Sequence, residues 1–444
     1  MAGELNVTGL VNGFDMNAVL AQIQAIKSKQ ILLLQSQQQK ISDKKVAVSD
    51  IANLLKNLQT SITNFTDSNT VNAKSVTVSN PNVLTATVTD PVKLQEGVYN
   101  VNVTQLATNQ IYASTNGVSD KNAPLGLGSD PDEDPDKKTR LTITMNGLDY
   151  IVVYDQSYSL QIIADEINKT ATTFNGNFRA SIINAGTSSN PSYKLVISGT
   201  KTGSANSFTI SDTGDLVSTL GINSIQNAYN ATASINGVDV ESDTNTFTSV
   251  EGLSFTVSQT GTATITVNKD KGPLLDTLKN LANAYNNLVD TVKKETGKGG
   301  RLSGEYSLAS VVNGIFRQMD ELFKNGLIKF DKDTGHISIN TSKFDDMYNN
   351  NLSTLQNILS TTKDKITNYL KPYTDYNGIL DQNIKAYDRE IKNLQNMIDL
   401  QTQRINTEIE TLKNQFVRMQ MLQAQFNDIS ARIQATFGLQ QNKQ

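Results

Sequence analysis

The sequence predicts an α+β multidomain protein: a long antiparallel helical coiled-coil stalk built from both termini, carrying two β-rich head domains, one inserted in the other. Three observations predict it. Both ends carry apolar residues at alternating three–four spacing with almost no Gly or Pro. The middle alternates β-branched and polar residues. The length, 444 residues, allows roughly two to four domains at about 100–200 residues each.

From Ala18 to Phe65 the apolar residues Val48, Ile51, Leu55, Leu58, Ile62 and Phe65 define one buried helical face. The stretch before them is weaker. It carries Val19, Ile23, Ile26, Leu33 and Leu34, then breaks into Gln35, Gln37, Gln38 and Gln39. At the other end, steps of seven from Ile384 reach Ile391, Ile398, Ile405, Leu412, Met419, Phe426 and Ile433. The partner positions are Tyr387, Leu394, Gln401, Glu408, Gln415, Leu422 and Ile429, so one edge of the stripe fails midway, where Ile409 and Phe416 stand beside it. A helix of about 60 residues measures about 85 Å and must pack on another long helix. The expected partner is the N-terminal one, with Val48–Phe65 lying against Ile384–Leu412.

Three shorter helices are expected: one from Leu274 to Val292, one over Ser307–Phe323, and one over Leu352–Leu370 ended by Pro372. Between the last two, Gly326–Ile339 reads as a hairpin around Asp333-Thr334-Gly335. In the middle, strands are expected at Val76–Val78, Leu84–Val88, Val98–Val103, Leu141–Met145, Tyr193–Ser198, Phe208–Ser211 and Ala263–Val267, with hairpin turns at Asn146-Gly147 and Asn236-Gly237. A short amphipathic helix, Ser159–Asn168, interrupts them, and residues 121–140 read as a surface loop.

Composition narrows the chemistry. There is no Cys and a single histidine, His336, so disulfides, thiolate sites and histidine-rich zinc sites within one chain are excluded. With 39 basic against 43 acidic residues, net charge −4, there is no global attraction to nucleic acid. No apolar run approaches the roughly 20 residues of a membrane helix, and the start lacks the basic and apolar stretches of a secretory signal.

Four stretches invite a chemical reading, and each yields to a plainer one. Asp130–Asp136 as a calcium loop requires Gly and Glu where Pro135 and Leu141 stand, so it reads as a solvated acidic loop. Gly297–Arg301 lacks phosphate-loop spacing and reads as a flexible connection between helices. His336 reads as a surface residue of the hairpin, and Asp345-Asp346 has no visible cleft. No catalytic, cofactor or metal site is expected, and the chain is read as a non-enzyme.

Several stretches together resemble a known family. Val7-Thr8-Gly9-Leu10-Val11-Asn12-Gly13-Phe14-Asp15 leading into Met16–Leu20 resembles the opening of the bacterial flagellar filament-capping proteins, the flagellar hook-associated protein 2 family. Asn12 stands where serine is commoner there, and Phe14 where leucine is. Leu160–Asn168 with Tyr193–Asn206 is similar to that family's inserted head domain. Ala233–Val240 is similar to a strand motif shared with flagellins, and Gly326–Asn340 to the hairpin before the last helices.

The resemblance implies a structural cap at the distal filament tip: a homo-oligomeric ring, usually a pentamer in this family, that retains exported flagellin and promotes its folding and addition. It implies flagellin, the hook–filament junction protein and an export chaperone as partners, and secretion through the flagellar channel. Some members adhere to host mucin, which would be a secondary role. On this reading residues 1–40 and 406–444 form a terminal leg, disordered when free. Residues 41–73 and 270–405 form the stalk, 74–118 and 225–269 one head, and 119–224 the inserted head. Filament and oligomer contacts are then expected from Leu20, Ile23, Ile26, Leu33, Leu34, Met419, Phe426, Ile429 and Ile433. The alternatives are another axial component, a flagellin or junction protein, or a coiled-coil surface adhesin.

Overall fold

The computed structural model describes residues 16–129, 139–305 and 307–441, with side chains to residue 435. The acidic stretch Asp130–Asp136 and the glycine-rich opening up to Asp15 lie outside the described residues. Two compact units are present: a helical one from residues up to 67 and from 274 onward, and a β-rich one over 68–273. The helical unit opens with α1 (Met16–Ser61), followed by a 3-10 turn, Thr63–Thr66.

The β-rich unit contains two hydrophobic cores. After a short helix, α2 (Ser68–Val71), come β1 (Lys74–Val78), β2 (Leu84–Val88), β3 (Gly97–Gln105) and β4 (Ile111–Ser114). Next are β5 (Thr139–Met145), β6 (Leu148–Tyr154), α3 (Leu160–Thr173), β7 (Phe178–Asn184), β8 (Tyr193–Gly199), β9 (Phe208–Asp212), α4 (Leu216–Leu220) and β10 (Ile222–Gln226). The unit closes with β11 (Ala231–Ile235), β12 (Val238–Ser242), β13 (Thr246–Phe247), β14 (Leu253–Val257) and β15 (Gly261–Lys269).

One lobe pairs a five-stranded sheet, β1-β15-β3-β11-β12, with a three-stranded one, β13-β14-β2. Period-two alternation drives this packing: Val101, Val103 and Ile265 meet Leu84, Phe247 and Phe255 in one core. The Phe247 and Phe255 rings stack at 5.0 Å. The second lobe combines β10-β4-β8-β7 with β6-β5-β9 and α3, burying Leu141, Ile143, Ile163, Ile167, Phe178, Ile197 and Phe208. The chain leaves the first lobe after β3, enters the second through β4 and returns through β10, which pairs antiparallel with β4. The second lobe is therefore an insertion in the first.

All seven expected strands form, and the Asn-Gly turns close β5–β6 and β11–β12. Both residues of each turn hold positive φ, +53° and +75° at Asn146-Gly147 and +50° and +84° at Asn236-Gly237. That is the conformation two-residue hairpins need to match strand twist. The Ser159 hydroxyl caps α3 by accepting from the Ile162 N–H.

The helical unit continues with α5 (Gly272–Thr296), α6 (Ser307–Gln318), α7 (Asp320–Lys324), β16 (Ile328–Phe330), β17 (Ile337–Ile339), α8 (Thr341–Asn350), α9 (Leu352–Thr374) and α10 (Ile379–Gln441). Four details differ from the sequence expectation. The helix over Ser307–Phe323 is broken at Met319, which is fully buried between α6 and α7. Helix α8 was not expected. Only Phe344, Met347 and Tyr348 of its ten residues are buried, a minimal stripe capped by the Asn340 side chain. Pro372 lies inside α9 rather than ending it, but so close to the last turn that the helix stops at Thr374. The Gly297–Arg301 loop is tied down rather than flexible, because Arg301 at its end pairs with Glu295 and Asp50.

Candidate docking surface on the terminal helices

Where α1 meets the rest of its unit, two ionic clusters fasten it. The Arg301 guanidinium grips Glu295 with two bonds of 2.8 Å, from Nε to Oε2 and from Nη2 to Oε1, and reaches Asp50 of α1 at 3.1 Å. Glu295 is only 3% exposed, so this forked pairing is what makes its charge tolerable. The Arg301 hydrogen bonds hold its carboxyl below the usual carboxylate range. Beside it, Lys44 of α1 donates to Glu305 at 3.0 Å, which raises the lysine pKa, and the Tyr387 hydroxyl of α10 lies 3.4 Å from the same carboxylate.

Beyond this belt α1 runs along α10. Lys45 pairs with Asp388, Gln38 with Gln395 and Lys27 with Glu408, so the helices are antiparallel. This register corrects the expected pairing of Val48–Phe65 with Ile384–Leu412. It is the polar stretch of α1, from Lys27 to Lys45, that faces Asp388–Glu408. Val48–Phe65 lies instead toward α9, where Gln59 meets Thr374 and Thr66 meets Lys363. The richer stripe of α1 serves the bundle, and the glutamine-rich one serves the long pair.

The packed face of α10 does not follow its heptads to the end. Leu394, Ile398 and Ile405 are buried in heptad order. After Ile405 the half-buried positions are Ile409, Leu412, Phe416, Gln420 and Gln423. Successive four-residue steps, Gln401–Ile405–Ile409 and again Leu412–Phe416–Gln420, act as stutters, which turn the covered face away from the seven-residue repeat beyond Leu412. The repeat itself continues in sequence, so Met419, Leu422, Phe426, Ile429 and Ile433 are exposed at three–four spacing. This is a coiled-coil seam without a partner among the described residues. Carried one-for-one from its pairs, the register sets Met16 near Val417–Met419, beside the start of this seam.

The sequence-expected contact residues divide accordingly. Met419, Phe426, Ile429 and Ile433 share the exposed seam. On α1, Ile26 and Leu33 are exposed, Ile23 and Leu34 are half-buried, and Leu20 is buried within this chain. Leu422, placed in the stripe by the sequence but not among the expected contacts, belongs to the seam; sequence reading missed Met421, exposed beside it, and Met397 and Leu400, exposed further back on α10. The alternating spacing of Leu422 with Met419 and Phe426 was the available signal. His336 Nε2 lies 2.8 Å from Asp290 Oδ1, tying the β16–β17 turn to α5. Among the described residues no group of three or more acidic or histidine side chains could hold a metal, and no helix is long and apolar enough to cross a membrane.

Known proteins share this architecture. The family model for the flagellar hook-associated protein 2 N-terminus matches residues 12–110, and that for its C-terminus matches 228–428. The stretch between them coincides with the inserted β lobe. The flagellar hook-associated protein 2 of Aquifex aeolicus is 30% identical over 352 residues, covering 76% of each chain. The A-type flagellar hook-associated protein 2 of Pseudomonas aeruginosa is 23% identical over 98% of this chain and 97% of its own. The crystal structure of the D1-D2-D3 domains of the flagellar cap protein FliD from Escherichia coli superposes with a TM-score of 0.58. It is 21% identical and covers 77% of this chain and 99% of that one, a likeness of fold.

A paired terminal helix system with β lobes strung between its halves, in this company, defines a structural protein of the bacterial flagellum. The chain belongs to the flagellar hook-associated protein 2 family, the filament caps.

Proposed function

We propose that the chain closes into a homo-oligomeric ring, a pentamer, at the distal tip of the filament, where it retains exported flagellin and promotes its folding and addition. The observation that carries this reading is the exposed seam Met419, Leu422, Phe426, Ile429 and Ile433 at the end of α10. An apolar coiled-coil seam on a terminal helix is built to be covered by other helices. In a cap those helices belong to neighbouring copies and to the last filament subunits. Residues 1–40 and 406–444 form the docking leg, residues 41–73 and 270–405 the stalk, 74–118 with 225–269 one head and 119–224 the other.

The leg orders fully only when docked, because outside the ionic belt its pair is held by few buried side chains and many amides. Contacts of this kind can be broken and remade as each subunit is added. The chain reaches the tip through the flagellar export channel, accompanied by an export chaperone beforehand, and the hook–filament junction protein underlies the first cap. Deleting the chain from its bacterium tests the reading: the mutant should release unpolymerised flagellin into the medium and regain filaments on complementation. Normal filaments in the deletion strain would sink it.

A further inference from the structure

The helical unit contains a pocket, open to solvent on one side, that the docking surface does not use. It lies among α5, α6 and the β16–β17 hairpin and has a volume of about 300 Å³. Tyr285 and Val289 of α5, Val312 and Phe316 of α6, and Phe330 of β16 line it. The Phe316 ring lies 4.6 Å from that of Phe330 and 6.5 Å from that of Tyr285. The walls follow from helical spacing, since Tyr285 and Val289 are four residues apart on one face, as are Val312 and Phe316.

Two polar groups mark the ends of this cavity. Tyr285 is 3% exposed, yet among the described residues its hydroxyl has no hydrogen-bond partner. Its oxygen is not sealed from solvent, so a bound molecule would take the place of water there. Lys293 also lines the cavity, and its exposed ammonium donates to the Thr334 carbonyl at 2.9 Å, leaving further N–H groups free. Eight residues of α5 separate the two, about 12 Å along the helix axis. Thr296 and Asn313 add two further polar side chains to the lining. The space suits an elongated molecule of about a dozen non-hydrogen atoms with an apolar middle and two polar ends.

We propose that this cavity binds a small aryl carboxylate, its ring among Val312, Phe316 and Phe330, its carboxylate at Lys293 and a polar atom at its far end on the Tyr285 hydroxyl. The reading is independent of filament capping. The test is calorimetric titration of the full chain with 3-(4-hydroxyphenyl)propionate, with 3-phenylpropionate, which lacks the far polar atom, and with 3-(4-hydroxyphenyl)propionamide, which lacks the charge.

One saturable site per chain is expected, with the hydroxylated acid binding about fivefold or more tighter than either analogue. Tyr285→Phe should erase the preference over 3-phenylpropionate, and Val312→Trp, which plugs the space, should abolish binding. Ala309→Leu serves as the plug if the tryptophan variant does not fold. No saturable binding to the wild-type chain, or equal binding to the wild type and both the plugged and Tyr285→Phe variants, overturns the proposal. Amide and acid binding alike would overturn the place given to Lys293.

Discussion

Phe426→Asp separates docking from folding. Phe426 is 70% exposed on α10, so the free chain has little to lose there. A surface substitution of this kind shifts stability by about 0.5 kcal/mol, with a few tenths more from the poorer helix propensity of Asp. Docking is another matter. A phenylalanine carries about 200 Å² of surface. The exposed part, about 140 Å² at about 25 cal/mol/Å², would contribute about 3.5 kcal/mol on burial. Removing it weakens each leg by more than about 100-fold, and an unpaired carboxylate in the seam adds a further penalty of several kcal/mol. The assay compares thermal melts of the purified variant with filament counts and flagellin released by cells. Unchanged melting with lost filaments is expected, while Asn427→Asp, the same charge one residue off the seam, should cap normally. A Phe426→Asp protein that caps like the wild type would refute the docking role of the seam.

Other outcomes follow from the interior. Arg301→Ala strands the buried Glu295 carboxylate and should destabilise the helical unit by about 2–4 kcal/mol at pH 7, a figure tempered by the partial exposure of Arg301. Because Arg301 depresses the Glu295 pKa, its contribution is full above the ordinary carboxylate value and lost as pH falls through the depressed one. Urea melts should therefore show the gap to wild type narrowing in acid, and a pH-independent gap would contradict the ion-pair origin. Gly252→Ala should cost about 2–4 kcal/mol, because the site has φ +77° and an added Cβ would lie 2.2 Å from the Asp90 carbonyl oxygen; melting like wild type would contradict it. Tyr154→Phe removes a buried hydroxyl that donates to Asp212 at 2.7 Å and should destabilise the inserted lobe by about 1.5–3 kcal/mol in the same melts.

Much of the fold was legible because single elements carried their own periodicity. The Leu274–Val292 stripe became α5, the eight heptad positions became α10, and the Asn-Gly dipeptides became hairpin turns. What escaped depended on partners distant in sequence. The register of α1 on α10 is set by Lys27, Gln38 and Lys45 meeting residues more than 340 positions away, and no local pattern reports such a choice. Helix α8 escaped because its stripe is one turn of apolar residues among Asp and Asn. Edge strands such as β10 escaped because their side chains are largely exposed, which blurs the alternation. The candidate surface was half legible: the heptads placed Met419, Phe426 and Ile433 on one line. Only the structure shows that the packed face leaves that line after Leu412.

Imaging labelled chain on purified filaments by cryo-electron microscopy tests the cap reading most directly. The account predicts label at the distal end alone, as a closed ring with the terminal helices running down among the last flagellin subunits. Label along the whole filament, as for a flagellin, or confined to the junction with the hook would contradict it.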